Sequence, residues 1–223
     1  MSSTVLSLSG GLDSSTLLTR LIALEVTKVI PVIFTYGSKH NKYENQAALA
    51  LCEYYKVKPY LFDLTAVMAG FKSNLLLAGG PIPEGHYNDA SMAQTVVPGR
   101  NSIFITILAG FAESMGANQV ALAVHAGDHH IYPDCRPDFM AAMQTTILLS
   151  SSGKVGLYHP YLRYTKDEIV SEGLNMGTPY HLTRTCYKDQ EIACGKCGSC
   201  RERLEAFELN NRQDPISYIY ACA

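Results

Sequence analysis

Short apolar runs alternate along this chain with segments whose apolar residues recur every three or four positions, so strands and helices are predicted to follow one another. Thr4-Val5-Leu6-Ser7-Leu8 is the first run; it enters Ser9-Gly10-Gly11, after which Leu17, Leu18, Leu21 and Leu24 repeat at helical spacing. Residues 28–34 form the second run. Pro31 within it donates no ladder hydrogen bond, which predicts an edge, a bulge or a late strand start. A helix over residues 45–55 and a strand over 59–64 complete a β-α-β-α-β opening. Later come a helix over 103–115 stopped by Gly116, a fourth strand over 119–124, and a helix from Pro137 to about Leu149. A short last strand over 155–158 precedes Thr165-Lys166-Asp167-Glu168, which has the form of a capping box before a helix ending at Gly177.

Strands separated by helices imply parallel pairing through right-handed crossovers. The predicted fold class is therefore α/β: a Rossmann-like open parallel sheet with helices on both faces. Two domains are expected, an α/β domain over residues 1–182 and a small cysteine-bearing lobe over 183–223. Residues 65–98 break the pattern, with Gly79-Gly80-Pro81-Ile82-Pro83-Glu84-Gly85 inside them, and are too long for a routine connection of about 4–6 residues. They read as a lid, a dimer arm or a disordered insertion, and a homodimer is the expected assembly.

Composition narrows the function more by exclusion than by indication. The 18 Lys+Arg nearly balance the 20 Asp+Glu, so nothing pulls the whole chain toward nucleic acid or an anionic membrane. No apolar run approaches the roughly 20 residues a membrane span needs, and the start lacks the layout of a secretory signal. A cytoplasmic protein acting on small molecules is expected. Of seven cysteines, four crowd together as Cys186, Cys194, Cys197 and Cys200, the last three at Cys-x-x-Cys-x-x-Cys spacing. In a reducing compartment that spacing favours a metal over cross-links, and Zn²⁺ in a closed structural site over an iron–sulfur cluster. Cys52, Cys135 and Cys222 stand apart.

The stretch from Ser7 and Leu8 through Ser9, Gly10, Gly11, Leu12, Asp13, Ser14 and Ser15 carries the candidate chemistry. Two glycines let the backbone turn tightly, and the following helix start offers amides and a partial positive charge to an anion. Asp13 fits either a helix cap or a Mg²⁺ that screens phosphate charge. A plain capped βα turn explains the same residues. No Gly-Lys-Ser/Thr follows, so this is not a Walker A loop. Tyr36-Gly37-Ser38-Lys39-His40 leaves the carboxyl end of the second strand, where open α/β sheets place ligands. His125, Asp128, His129 and His130 have metal-ligand chemistry but read better as loop residues near phosphate or substrate. Capping explains Thr165 and Glu168 but not Lys166.

Ser9-Gly10-Gly11-Leu12-Asp13-Ser14 resembles the SGGxDS PP-loop of the ATP pyrophosphatases, which release pyrophosphate and form an adenylate. Together with Val97-Pro98-Gly99-Arg100-Asn101, Tyr132-Pro133-Asp134-Cys135-Arg136 and the four-cysteine tail, it resembles the 7-cyano-7-deazaguanine synthase family over nearly the whole chain. The resemblance implies an ATP-dependent carbon–nitrogen ligase. It would adenylate the carboxylate of 7-carboxy-7-deazaguanine, let ammonia form the amide, and activate the amide oxygen with a second ATP to leave the nitrile. It also implies roles: Ser9 to Ser15 hold phosphates, with Tyr36 and Gly127 on the ATP wall, and Arg100 meets phosphate or substrate carboxylate with Asn101 beside it. Asp134, with Asp128 and Tyr132, faces the substrate, Asp134 reading its guanine-like edge, and Lys166 is a second cation near the phosphates. For Arg100 and Asp134 a buried pair joining two loops is the competing expectation. Many members carry Tyr-Gly-Gln-x-His where this chain has Ser38-Lys39. Two other readings stay open: a ligase that stops at the amide or joins the deazaguanine to a protein amine, and a zinc ribbon that binds nucleic acid beside a nucleotide-sensing loop. The few basic residues near the cysteines, Lys188, Lys196, Arg201 and Arg203, argue against the latter.

Overall fold

The computed structural model describes residues 3–87 and 89–220, which leaves Cys222 outside the described residues. Five strands, β1 (Ser3–Ser7), β2 (Lys28–Thr35), β3 (Tyr60–Asp63), β4 (Gln119–Ala121) and β5 (Gly156–Tyr158), form one sheet. Their spatial order is β3-β2-β1-β4-β5 and every pairing is parallel. The helices are α1 (Leu12–Ala23), α2 (Asn41–Tyr54), α3 (Thr65–Met68), α4 (Arg100–Ser114), α5 (Pro137–Ser150), α6 (Lys166–Met176) and α7 (Gly198–Leu209). Neighbouring strand residues point to opposite faces, and both faces are apolar and covered. Val5, Ile30 and Val32 pack with Phe104, Leu108 and Met140 on one side; Leu6, Leu8 and Ile33 pack with Leu17, Leu51 and Phe207 on the other.

Pro31 does not mark an edge strand, because β2 lies between β1 and β3. It sits opposite Leu6 of β1, and pairing with β3 begins only at Val32, so the late start removes the cost of the missing donor. The connection over 65–98 is a packed strap. Leu75, Leu76, Tyr87, Met92 and Val97 are buried in it, and Gly85 N–H donates to the Lys196 carbonyl at 3.2 Å. Lys39 pins the strap from below, donating to the carbonyls of Asn74 at 3.0 Å and Gly79 at 3.1 Å. The capping box at Thr165 and Glu168 forms as expected. Helix α7 was not anticipated: only three apolar side chains other than alanine and cysteine punctuate its twelve residues, yet Phe207 enters the core and Arg203 is fully buried. No described helix is long and apolar enough to cross a membrane.

Candidate active site

The sheet changes winding direction between β1 and β4, since the chain runs from β1 outward to β3 and then returns to the other side. A cleft opens beyond the carboxyl ends of the strands at this switch point, the usual ligand position in such sheets. Ser7, Leu8 and the loop residues Ser9, Gly11, Leu12, Asp13 and Ser14 form one wall. Gly10 holds the turn at φ +79°, and a Cβ there would lie 2.6 Å from both the Ala48 nitrogen and the Glu44 carbonyl oxygen. Only glycine fits, so α2 braces the loop from behind. Ser9 and Ser14 hydroxyls lie 3.0 Å apart, Gly11 N–H donates to Ser9 Oγ at 3.1 Å, and Ser15 Oγ donates back to the Gly11 carbonyl at 2.6 Å. Gly11 is the N-cap of α1 and no side chain caps the helix, so the capped-turn explanation fails. The first-turn amides are left for a ligand.

Asp13 turns instead toward α6. Its Oδ2 accepts from Lys166 Nζ at 2.7 Å, and Lys166 Nζ also lies 3.0 Å from His125 Nε2 and 3.3 Å from Glu202 Oε2. Asp13 Oδ1 is buried without a partner among the described residues, which leaves a lone pair for a cation. Burial opposes the Lys166 charge, but Asp13, Glu202 and Asp128 outweigh it and raise the pKa above the ordinary lysine value. Asp128 accepts from the Tyr87 hydroxyl at 2.7 Å and lies 3.4 Å from His125 Nε2. Its burial alone would favour the acid; His125 and Lys166 hold it below the usual carboxylate range.

Arg100 lines the opposite wall with its guanidinium 5.9 Å above the Tyr36 ring and one long hydrogen bond, 3.4 Å, to the Tyr36 hydroxyl. No carboxylate among the described residues pairs with it. The buried Arg100–Asp134 pair does not form, because Asp134 serves the start of α4: its Oδ2 accepts Asn101 N–H at 3.0 Å. Asn101 Nδ2 in turn donates to the Asp134 carbonyl at 3.0 Å and to Cys135 Sγ at 3.2 Å. Asp134 therefore stands outside the cleft lining, while Asn101 and Tyr132 reach it. Gly127 also lies outside the lining; its N–H donates to His125 Nδ1 at 3.1 Å, and its missing Cβ makes room for Glu202. Tyr132 lines the cleft with its hydroxyl 2.9 Å from Thr95 Oγ1. Phe34, Phe104 and Leu122 floor the cleft, with the two phenylalanine rings stacked 4.1 Å apart.

Several lining residues carried no distinct sequence signal. Tyr87 comes from the strap, Ser199 and Glu202 from α7, and Glu44 from the first turn of α2. Glu202 follows Cys200 by two positions, the one hint that the cysteine tail reaches the cleft. Cys186, Cys194, Cys197 and Cys200 are all buried, with their sulfurs within 4.8 Å of one another. Backbone amides of Cys194 and Cys197 point at Cys186 Sγ and Cys194 Sγ, both at 3.3 Å, the surroundings a thiolate needs. Four buried thiols at this spacing have the donor set and geometry to hold one metal ion.

A family model described as "Queuosine biosynthesis protein QueC" matches residues 3–211. The chain belongs to this family. It is 43% identical over 213 residues to the 7-cyano-7-deazaguanine synthase of Pseudoalteromonas atlantica, covering 94% of this chain and 95% of that one. The 7-cyano-7-deazaguanine synthase of Methanoregula boonei is likewise 43% identical over 214 residues, covering 96% and 98%. Among solved structures, the U34-tRNA thiolase NcsA of Methanococcus maripaludis, with its [4Fe-4S] cluster, superposes with a TM-score of 0.52 at 15% identity. That match covers 94% of this chain but 65% of the thiolase, and it shows a shared fold.

Proposed function

We propose that this protein converts 7-carboxy-7-deazaguanine and ammonia to 7-cyano-7-deazaguanine, with acyl-adenylate and amide intermediates and release of AMP and pyrophosphate. The carrying observation is that one cleft joins an uncapped glycine-turn cradle to two cations, in a chain whose relatives at 43% identity bear that activity's name. A carboxylate and an amide both hold oxygen as a poor leaving group. Converting each oxygen to an AMP ester makes both substitutions feasible, provided the departing pyrophosphate is stabilised. The Ser9 to Ser15 loop supplies amides and hydroxyls for that charge, and Lys166 holds a cation beside it. Arg100, with no carboxylate of its own, is free to meet the substrate carboxylate or the α-phosphate. The apolar floor of Phe34, Phe104 and Leu122 suits the adenine ring.

Mg²⁺ fits the unpartnered Asp13 Oδ1 and would screen the phosphates. We assign Zn²⁺ to the four cysteines. Tetrahedral thiolates at about 2.3 Å from one ion lie roughly 3.8 Å apart, and the sulfurs here, two of them 3.9 Å apart, already sit at that scale. All four positions are protein-filled, so the ion would act as a structural cross-link of the lobe over residues 183–223. Neither a protein acceptor nor nucleic acid draws support from the relatives. Incubation with ATP, Mg²⁺, 7-carboxy-7-deazaguanine and ammonia is expected to yield AMP, pyrophosphate and the nitrile. Formation of ADP, or accumulation of the amide as final product, overturns the reading.

A further inference from the structure

Four carboxylates line the cleft, and three are already engaged: Asp13 and Glu202 with Lys166, and Asp128 with Tyr87 and His125. The fourth, Glu44, has no hydrogen bond from a side-chain cation or hydroxyl among the described residues. Among the described residues it contacts His40, whose Nε2 lies 3.4 Å from Oε2. The position is not incidental, because the Glu44 backbone abuts Gly10 of the phosphate loop. The charged and titratable groups facing Glu44 are His40 at the head of its own helix, Tyr36 at the end of β2, Arg100 from α4 and Arg184 from the segment after α6. Arg184 is committed elsewhere, donating to the carbonyls of Glu191 at 2.6 Å and Lys188 at 3.1 Å. His40 is 2% exposed, and burial, then Arg100 and Arg184, push its pKa down to about 3. It stays neutral and takes no proton from a ligand near neutral pH.

The reaction proposed above needs a nitrogen nucleophile, and ammonia in neutral water is almost all ammonium, which has no lone pair. A base in the cleft would raise the supply of free ammonia there. We infer that Glu44 is this base: it accepts a proton from ammonium and releases ammonia beside the acyl-adenylate, an inference that rests on the adenylation reading. The lone pair of ammonia forms the C–N bond to the acyl carbon. The C–O bond to AMP breaks, its electron pair staying on the AMP phosphate, which also takes the second proton from nitrogen. Products are the amide, AMP and protonated Glu44. Arg100 and Arg184 assist, since a positive field favours ammonia over ammonium. Burial lifts the Glu44 carboxyl to about 8, against the two arginines, which brings its proton affinity closer to that of ammonia; the ionised form that accepts the proton is the smaller fraction near neutral pH and grows as pH rises.

The test compares wild type with Glu44→Gln in three assays: ATP–pyrophosphate exchange with 7-carboxy-7-deazaguanine but no amine, turnover with ammonium at neutral and alkaline pH, and hydroxamate formation with hydroxylamine. Hydroxylamine is mostly unprotonated at neutral pH and needs no base to become a nucleophile. Exchange and hydroxamate formation are expected to change by less than about threefold, while ammonium turnover at neutral pH falls about a hundredfold. That loss shrinks to below about tenfold at alkaline pH, where ammonia is free. Equal losses with both amines, or loss of exchange, overturn the inference and mark Glu44 as a substrate or nucleotide contact. Glu44→Asp, which keeps a carboxylate, is expected to restore part of the ammonium rate, and failure to do so with intact exchange also counts against it. If wild type shows no exchange at all, the adenylation reading fails first and takes this inference with it.

Discussion

Arg203 and Asp214 offer the sharpest test of how the cysteine-bearing tail is fastened to the sheet domain. The Arg203 side chain is 0% exposed and that of Asp214 2%, and two hydrogen bonds join them at 2.7 and 2.8 Å. The other guanidinium protons go to Thr183 Oγ1 at 2.6 Å, Thr185 Oγ1 at 3.0 Å and the Tyr180 carbonyl at 3.2 Å, so all five N–H groups are used. Asp214 also accepts from the Tyr218 hydroxyl at 2.6 Å. Removing either partner strands the other charge away from water, which costs about 3–5 kcal/mol, against a total stability of roughly 5–15 kcal/mol. Arg203→Met and Asp214→Asn should therefore each lower the unfolding free energy by about that amount in urea titrations with zinc present. The double variant strands no charge, so its loss should fall short of the sum of the singles by at least about 2 kcal/mol. Additive losses, or single losses below about 1 kcal/mol, would refute the buried-charge reasoning.

Asp134→Ala removes a helix cap rather than a cleft contact, and is expected to cost about 1 kcal/mol in melting experiments while changing KM for the deazaguanine less than twofold; a large rise in KM alone would restore its substrate role. Cys197→Ser should lose metal and solubility together, read by metal analysis and gel filtration; a folded, metal-free variant that lacks only activity would make the ion catalytic. Glu44→Gln should stabilise the protein as pH rises. With the carboxyl lifted from 4.5 to about 8, the folded state keeps a proton that the unfolded state releases. The wild type is therefore unpenalised below pH 4.5, loses stability progressively up to about pH 8, and is flat above it. The variant's advantage near pH 7 should be about 2 kcal/mol once the 16% side-chain exposure is allowed for; equal melting curves from pH 4 to 9 would contradict the burial.

The strand–helix alternation was readable because each apolar run is short, bracketed by Gly, Pro or polar residues, and followed by a different period. The glycine turn after the first strand and the cluster of four cysteines were readable because their spacing is local. What sequence could not reveal is long-range. Lys166 meets Asp13 across 153 positions, and nothing in the first turn of α6 announces that partner. Asp134 sits in a motif that invited a substrate role, yet its geometry relative to Asn101 makes it a cap. Helix α7 hid because its core-facing surface is made partly of Arg203, and a buried arginine looks like a solvated one until its five acceptors are seen. Tyr87 lay in a polar, glycine-rich stretch whose order comes from packing against the cysteine tail.

The two halves of the Asp13–Lys166–Glu202 cluster leave the ribosome at very different times. A nascent chain displays Ser9 to Ser15 early, but the helix carrying Ser199 and Glu202 emerges only after all the other strands and helices, and its first turn includes Cys200. On the function proposed above, a complete nucleotide site exists only once α7 has joined the cleft. A chain stalled before α7 would have the glycine turn without the Glu202 carboxylate that lies 3.3 Å from Lys166 Nζ. Since a ligand stabilises only the state that binds it, a nucleotide bound as proposed would selectively protect complete copies over unfinished ones.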